Sequence, residues 1–162
     1  MLTYPSSPDY DMLESQLKAL TSTETAPLPN LANASSLIFY ALEDLNWCGS
    51  YLTVPAENGS KDLLLGPFQG KTACIRIPFG KGVCGTAALS DELQLVPDVH
   101  LFPGHIACDS ASNSEIVIPM HDPSGNVVGV LDIDSPSLER FSKADADGLT
   151  RLVRVLEKHC AF

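Results

Sequence analysis

No apolar run in this chain reaches the length of about 20 residues that a bilayer-spanning helix needs. Basic residues are scarce: 10 Lys and Arg stand against 20 Asp and Glu, for a formal charge of −10. A nucleic-acid binder needs a basic stripe to neutralise phosphates, and none is visible. The same shortage disfavours an anionic membrane surface as partner. CxxC pairs are missing, and His100 and His105 match no common ligand spacing, so no metal site is expected. The segment Met1-Leu2-Thr3-Tyr4-Pro5 has neither a basic n-region nor an apolar core, so no secretory signal and a cytoplasmic location are expected. Five cysteines, an odd number, argue against a secreted disulfide framework. No internal repeat, low-complexity segment or second domain is visible.

What is present suits one domain with a real core: 162 residues, 44% of them hydrophobic. Ser7-Pro8-Asp9-Tyr10 predicts a helix start, followed by Leu13, Leu17 and Leu20 at helical spacing. Thr23 to Pro29 predicts a break. A second helix is expected from about Asn30 to Leu45, with a stripe that includes Leu31, Ala34, Ile38 and Leu42. Residues 46–54 predict a strand with Trp47, Gly49 and Tyr51 on one face and room above the glycine. Glu57-Asn58-Gly59 predicts a turn into a strand at Asp62–Gly66, with Pro67–Lys71 as a connector and a further strand at Thr72–Ile77. Gly80 to Leu89 fits neither a Walker loop nor a dinucleotide fingerprint and reads as a turn into a short helix. Cys84 then lies near a helix N-terminus, which can lower a thiol pKa. A short strand is expected near Leu93–Val96. Glu115–His121 and Val127–Ile133 predict a hairpin across Asp122-Pro123-Ser124-Gly125-Asn126. A last helix starts near Ser142, whose spacing to Asp145 fits a capping box. Clustered hairpins favour an antiparallel sheet.

Chemistry concentrates in three stretches. Cys108 sits in a small and polar run, Gly104 to Ser114, just before the acid Glu115 and an apolar strand. Cys74 and Cys84 lie beside loop and glycine residues. Asp132 and Asp134 share one strand face while Leu131 and Ile133 take the other. Two acids within an apolar strand are out of place unless that face holds a ligand. With Glu115 they form a carboxylate cluster suited to an ammonium group, and mutual repulsion would keep one acid protonated. Cys48, in a strand, reads as a core residue, and Cys160 as part of a frayed tail.

The residues Leu65–Lys71, Ala73–Pro78, Gly80–Ala87, Gly104–Asp109, Ser112–Val117 and Gly129–Ser135 resemble the free methionine-(R)-sulfoxide reductases, GAF-domain enzymes. The resemblance implies an α+β fold (α/β sandwich): a six-stranded antiparallel sheet flanked by helices. One GAF domain would then span 1–162, with a helical segment at about 7–45, core sheet and active site at about 46–135, and a C-terminal helix at about 142–160. It implies reduction of free methionine-(R)-sulfoxide, a homodimer, no metal or organic cofactor, and an external dithiol such as thioredoxin. Cys108 would be the nucleophile, Cys74 the main resolving thiol and Cys84 an alternative resolver or relay. Glu115, Asp132 and Asp134 would bind the ammonium and protonate the sulfoxide oxygen, with Trp47 and Tyr51 walling the substrate. Two other readings compete. A non-enzymatic GAF sensor would not need three thiols here, and carboxylates repel a phosphate ligand. A thiol peroxidase has no ammonium to hold.

Overall fold

The structure is a computed structural model; it describes residues 8–105 and 111–162. Helix α1, Tyr10–Thr21, starts where Asp9 accepts a hydrogen bond from the Met12 N–H at 2.9 Å. Leu13 and Leu17 are buried, but the next core position is Thr21 and Leu20 is exposed. Four residues on from Leu17 returns the helix to its buried face, and Thr21 satisfies its hydroxyl by donating to the Leu17 carbonyl. Helix α2, Pro27–Ala41, begins inside the expected break. Its two prolines occupy the first turn, where a missing N–H costs nothing. It also ends before Leu45: Leu42 turns extended, and Asp44 adopts a left-handed φ of 60°.

Six strands form one antiparallel sheet in the order β3-β2-β1-β6-β5-β4. They are β1 Trp47–Pro55, β2 Lys61–Gly70, β3 Arg76–Pro78, β4 Gln94–Val96, β5 Ser114–His121 and β6 Val127–Ser135. Two expectations fail here. Strand β2 runs on through Pro67 to Gly70, and Thr72 to Ile75 stands outside β3. The register of β1 on β2 shifts between Gly49 and Tyr51, so Ser50 faces the Gly66-Pro67 pair across a bulge. A proline fits at a bulge because no ladder donor is required there. The β5–β6 hairpin closes as expected, with the Asp122 N–H donating to the Asn126 carbonyl.

Alternation along the strands sorts the two faces. Cys48, Ile116, Ile118, Met120, Leu131 and Ile133 pack under α1, α2 and the last helix, α4, Lys143–His159. Leu149, Leu152, Val153 and Leu156 of α4 are wholly buried there, each contributing about 1.5–3 kcal/mol. The expected capping box is formed: Ser142 accepts from the Asp145 N–H at 3.1 Å, and Asp145 accepts from the Ser142 N–H at 2.8 Å. Cys160 does not fray. It is buried in this core, and the Ala161 N–H donates to the Thr25 carbonyl. The opposite face carries Tyr51, Leu63, Val117 and Val130 under helix α3, Gly82–Ser90. No described helix is long and apolar enough to cross a membrane.

Candidate active site

The cleft lies between the second face of the sheet and the start of α3. It encloses about 520 Å³, open mouth included, within the range of small-molecule sites. Pairing builds its floor. Glu115 of β5 faces Asp134 of β6, and Asp132 lies one pleat further along the same face. On the other side of β6, Asp134 pairs with Trp47 and Asp132 with Gly49. All three acids are buried. Helix α3 lowers Cys84 onto them, its Sγ 3.8 Å from Glu115 Oε1. This approach depends on Gly85, where a Cβ would lie 2.4 Å from the Pro78 carbonyl oxygen.

The aromatic wall comes from β1. Trp47 stacks on Tyr51, centroids 5.9 Å apart, and on Phe68 at 5.2 Å. The expected space above Gly49 is filled by these rings: a Cβ there would meet Phe68 Cβ at 2.3 Å and Trp47 Cη2 at 2.6 Å. Both wall residues also hold the strap from Lys71 to Cys74. The Trp47 indole N–H donates to the Lys71 carbonyl at 3.1 Å, and the Tyr51 hydroxyl to the Cys74 carbonyl at 2.9 Å. Cys74 is disulfide-bonded, whereas Cys48, Cys84 and Cys160 are free.

Electrostatics divide the acids into roles. Burial, then the charges of Asp132 and Asp134, push the Glu115 carboxyl well above the usual carboxylate range. Burial also raises Asp132, but only to about 6, because hydrogen bonds to Glu115 and Cys84 favour its charged form. Glu115 therefore keeps the proton and Asp132 accepts it. Asp132 Oδ1 has no hydrogen-bond partner among the described residues. Burial, followed by the negative charges of Asp132, Glu115 and Asp134, raises Cys84 well above an ordinary thiol. The helix N-terminus thus fails to make a thiolate of Cys84, because desolvation and neighbouring acids outweigh it.

A GAF domain family matches residues 30–157. The chain is 51% identical to the free methionine-R-sulfoxide reductase of Escherichia coli, over 92% of this chain and 87% of that protein. It is 50% identical to the enzyme of that name in Saccharomyces cerevisiae, over 82% of this chain and 75% of that one. The structure of the Staphylococcus aureus protein fRMsr in complex with its substrate superposes with a TM-score of 0.86 at 43% identity, covering 97% of this chain and 99% of that chain. The chain belongs to the free methionine-R-sulfoxide reductase family.

Of the residues that the family resemblance singles out, Trp47, Tyr51, Cys84, Glu115, Asp132 and Asp134 all line this one cleft. Cys74 sits beside it, next to the lining residue Ala73, its carbonyl accepting the hydrogen bond from the Tyr51 hydroxyl. Cys108 lies outside the described residues. Other residues that line the cleft were not singled out as site residues by the sequence, among them His105, Ser112 and Val83. His105 reaches Glu115, Nε2 to Oε2 at 4.0 Å; burial, then His100, lowers its pKa, so it is neutral at pH 7. Its position beside the Cys108 stretch was the available signal. Ser112 and Val83 also line the cleft; both lie in stretches that carry the resemblance, but neither side chain has a chemistry that marks it as a site residue.

Proposed function

We propose that this protein reduces free methionine-(R)-sulfoxide to methionine, the whole chain acting as one GAF domain. The observation that carries the reading is the buried Glu115–Asp132 pair, one carboxyl holding a proton and the other ionised at neutral pH, beneath an aromatic wall. A sulfoxide amino acid offers what such a floor can use: an ammonium for Asp132 and Asp134, and an oxygen for the Glu115 proton. The thioether carbon chain packs against Trp47 and Tyr51. The named relatives and the substrate complex support the same substrate.

The chemistry runs through thiols. Glu115 protonates the sulfoxide oxygen. The Cys108 thiolate attacks the sulfoxide sulfur and forms a sulfur–sulfur bond; the protonated oxygen then passes from that sulfur to the Cys108 sulfur as the sulfur–sulfur bond breaks, so that methionine leaves with the electron pair and Cys108 is left as a sulfenic acid. The Cys74 thiol displaces water from that sulfur to form a disulfide. An external dithiol, thioredoxin in this proposal, takes the disulfide back to two thiols. The net exchange is one sulfoxide and two thiols for one sulfide, one disulfide and one water, without metal or organic cofactor. The disulfide-bonded state of Cys74, with Cys84 free, supports Cys74 as resolver and leaves Cys84 as a protonated thiol rather than a relay. A homodimer and a cytoplasmic location, where a reducing pool keeps such a cycle running, complete the proposal.

Single-turnover chemistry tests it. Reduced Cys74→Ser protein should release one equivalent of methionine without added reductant and then stop. Cys108→Ser should release none. Sustained turnover of Cys74→Ser with thioredoxin would remove Cys74 from the scheme, and release by Cys108→Ser would remove the nucleophile.

A further inference from the structure

The three side chains at the cleft floor form a ligand set as well as a proton-sharing group. Cys84, Glu115 and Asp132 each bring one ligand atom within 4.8 Å of the others, and all three are buried. They are far apart in sequence, at positions on α3, β5 and β6, which is why no motif spacing revealed them. A tetrahedral ion with bonds of about 2.3 Å to sulfur and about 2.0–2.2 Å to oxygen sets its sulfur and oxygen ligands about 3.5 Å apart. The observed separation from Cys84 Sγ to Glu115 Oε1 is 3.8 Å. A second observation points to a ligand independently of the clustering. Asp132 is 6% exposed, and its Oδ1 has no hydrogen-bond partner among the described residues. Charge favours a cation too: Lys81 is the one Lys or Arg among the described residues that line the cleft.

We infer that Cys84, Glu115 and Asp132 bind one divalent transition-metal ion of the Zn²⁺ type, and that this ion shuts the enzyme off. The thiol selects the ion class. Ca²⁺ and Mg²⁺ take oxygen ligands, whereas a mixed sulfur and carboxylate set suits Zn²⁺ or Cd²⁺. Binding replaces the Cys84 and Glu115 protons, which pass to the buffer. His105, 4.0 Å from Glu115, is a nitrogen ligand within reach of the fourth position. Only the inhibitory effect rests on the reductase reading. The ion would sit where the substrate ammonium is held and would displace the Glu115 proton that the sulfoxide oxygen needs.

The test is a Cd²⁺ titration of the full-length protein in its disulfide form, which keeps Cys74 out of the thiol pool. The readout is the ultraviolet charge-transfer band of a cadmium–thiolate bond. One equivalent should produce the band, Cys84→Ser should lose it, and free methionine sulfoxide should weaken binding in proportion to its concentration. No band with the unaltered protein, or a band that survives in Cys84→Ser, overturns the inference. Should Cys84→Ser not fold, Asp132→Asn decides: roughly tenfold weaker Cd²⁺ binding or more is expected, and unchanged affinity refutes the site. A band in a protein that turns over no sulfoxide would sink the reductase reading and leave the metal site standing. Turnover without a band would do the reverse.

Discussion

Asp132→Asn should make the protein more stable and less active, and the structure sets the size of the first effect. Burial raises the Asp132 carboxyl from 3.8 to about 6. Below 3.8 the group is protonated in both folded and unfolded chains and contributes nothing. Between 3.8 and about 6 the unfolded chain has released the proton while the native chain still holds it, so stability falls as pH rises. Above about 6 the full cost is present, about 3 kcal/mol. Asparagine has nearly the same shape, and its carbonyl oxygen can still accept the Glu115 proton. The variant should therefore match the parent near pH 3.5 and exceed it by up to about 3 kcal/mol at pH 8. For a chain of this length that is a rise in Tm of roughly 6–12 °C. Losing a charged partner for the ammonium should raise KM about 10- to 100-fold. Thermal unfolding across pH 3.5–8, beside steady-state kinetics, measures both. A Tm difference that does not grow with pH, or a variant less stable at pH 8, would refute the argument that Asp132 is buried at a cost to folding.

Two other substitutions probe the wall. Gly49→Ala would push a methyl into Phe68 and Trp47 and should cost about 1–3 kcal/mol, measured by urea unfolding, with a raised KM because the wall moves. Tyr51→Phe removes the hydroxyl that holds the Cys74 carbonyl and should cost about 1 kcal/mol; single-turnover kinetics should show disulfide formation slowed more than methionine release, and equal slowing would mean that the hydroxyl does not position Cys74.

Local signals carried the parts of this fold that local chemistry decides. Asp9 and the Ser142–Asp145 pair marked helix starts because capping needs only neighbouring residues. The two-residue spacing of Asp132 and Asp134 placed both acids on one face, and the β5–β6 turn put Glu115 beside them. What stayed hidden depended on distant partners. Strand β2 passes through Pro67, against the usual reading of proline, because a bulge in its pairing with β1 takes up the missing donor. Cys160 looked like a loose end, yet α1 and α2 supply a core for it to enter. Cys84 looked like a thiol that its place at a helix start could activate, and burial, followed by three acids from two strands, reverses that. The acids themselves were legible; their division into a proton holder and a proton acceptor was not, since it follows from burial and contact geometry.

The most direct measurement is methionine release by the purified protein with dithiothreitol, using the R and S epimers of free methionine sulfoxide separately and a peptide containing methionine sulfoxide. The account predicts release from the free R epimer alone. Release from the peptide, or from neither epimer, would contradict it.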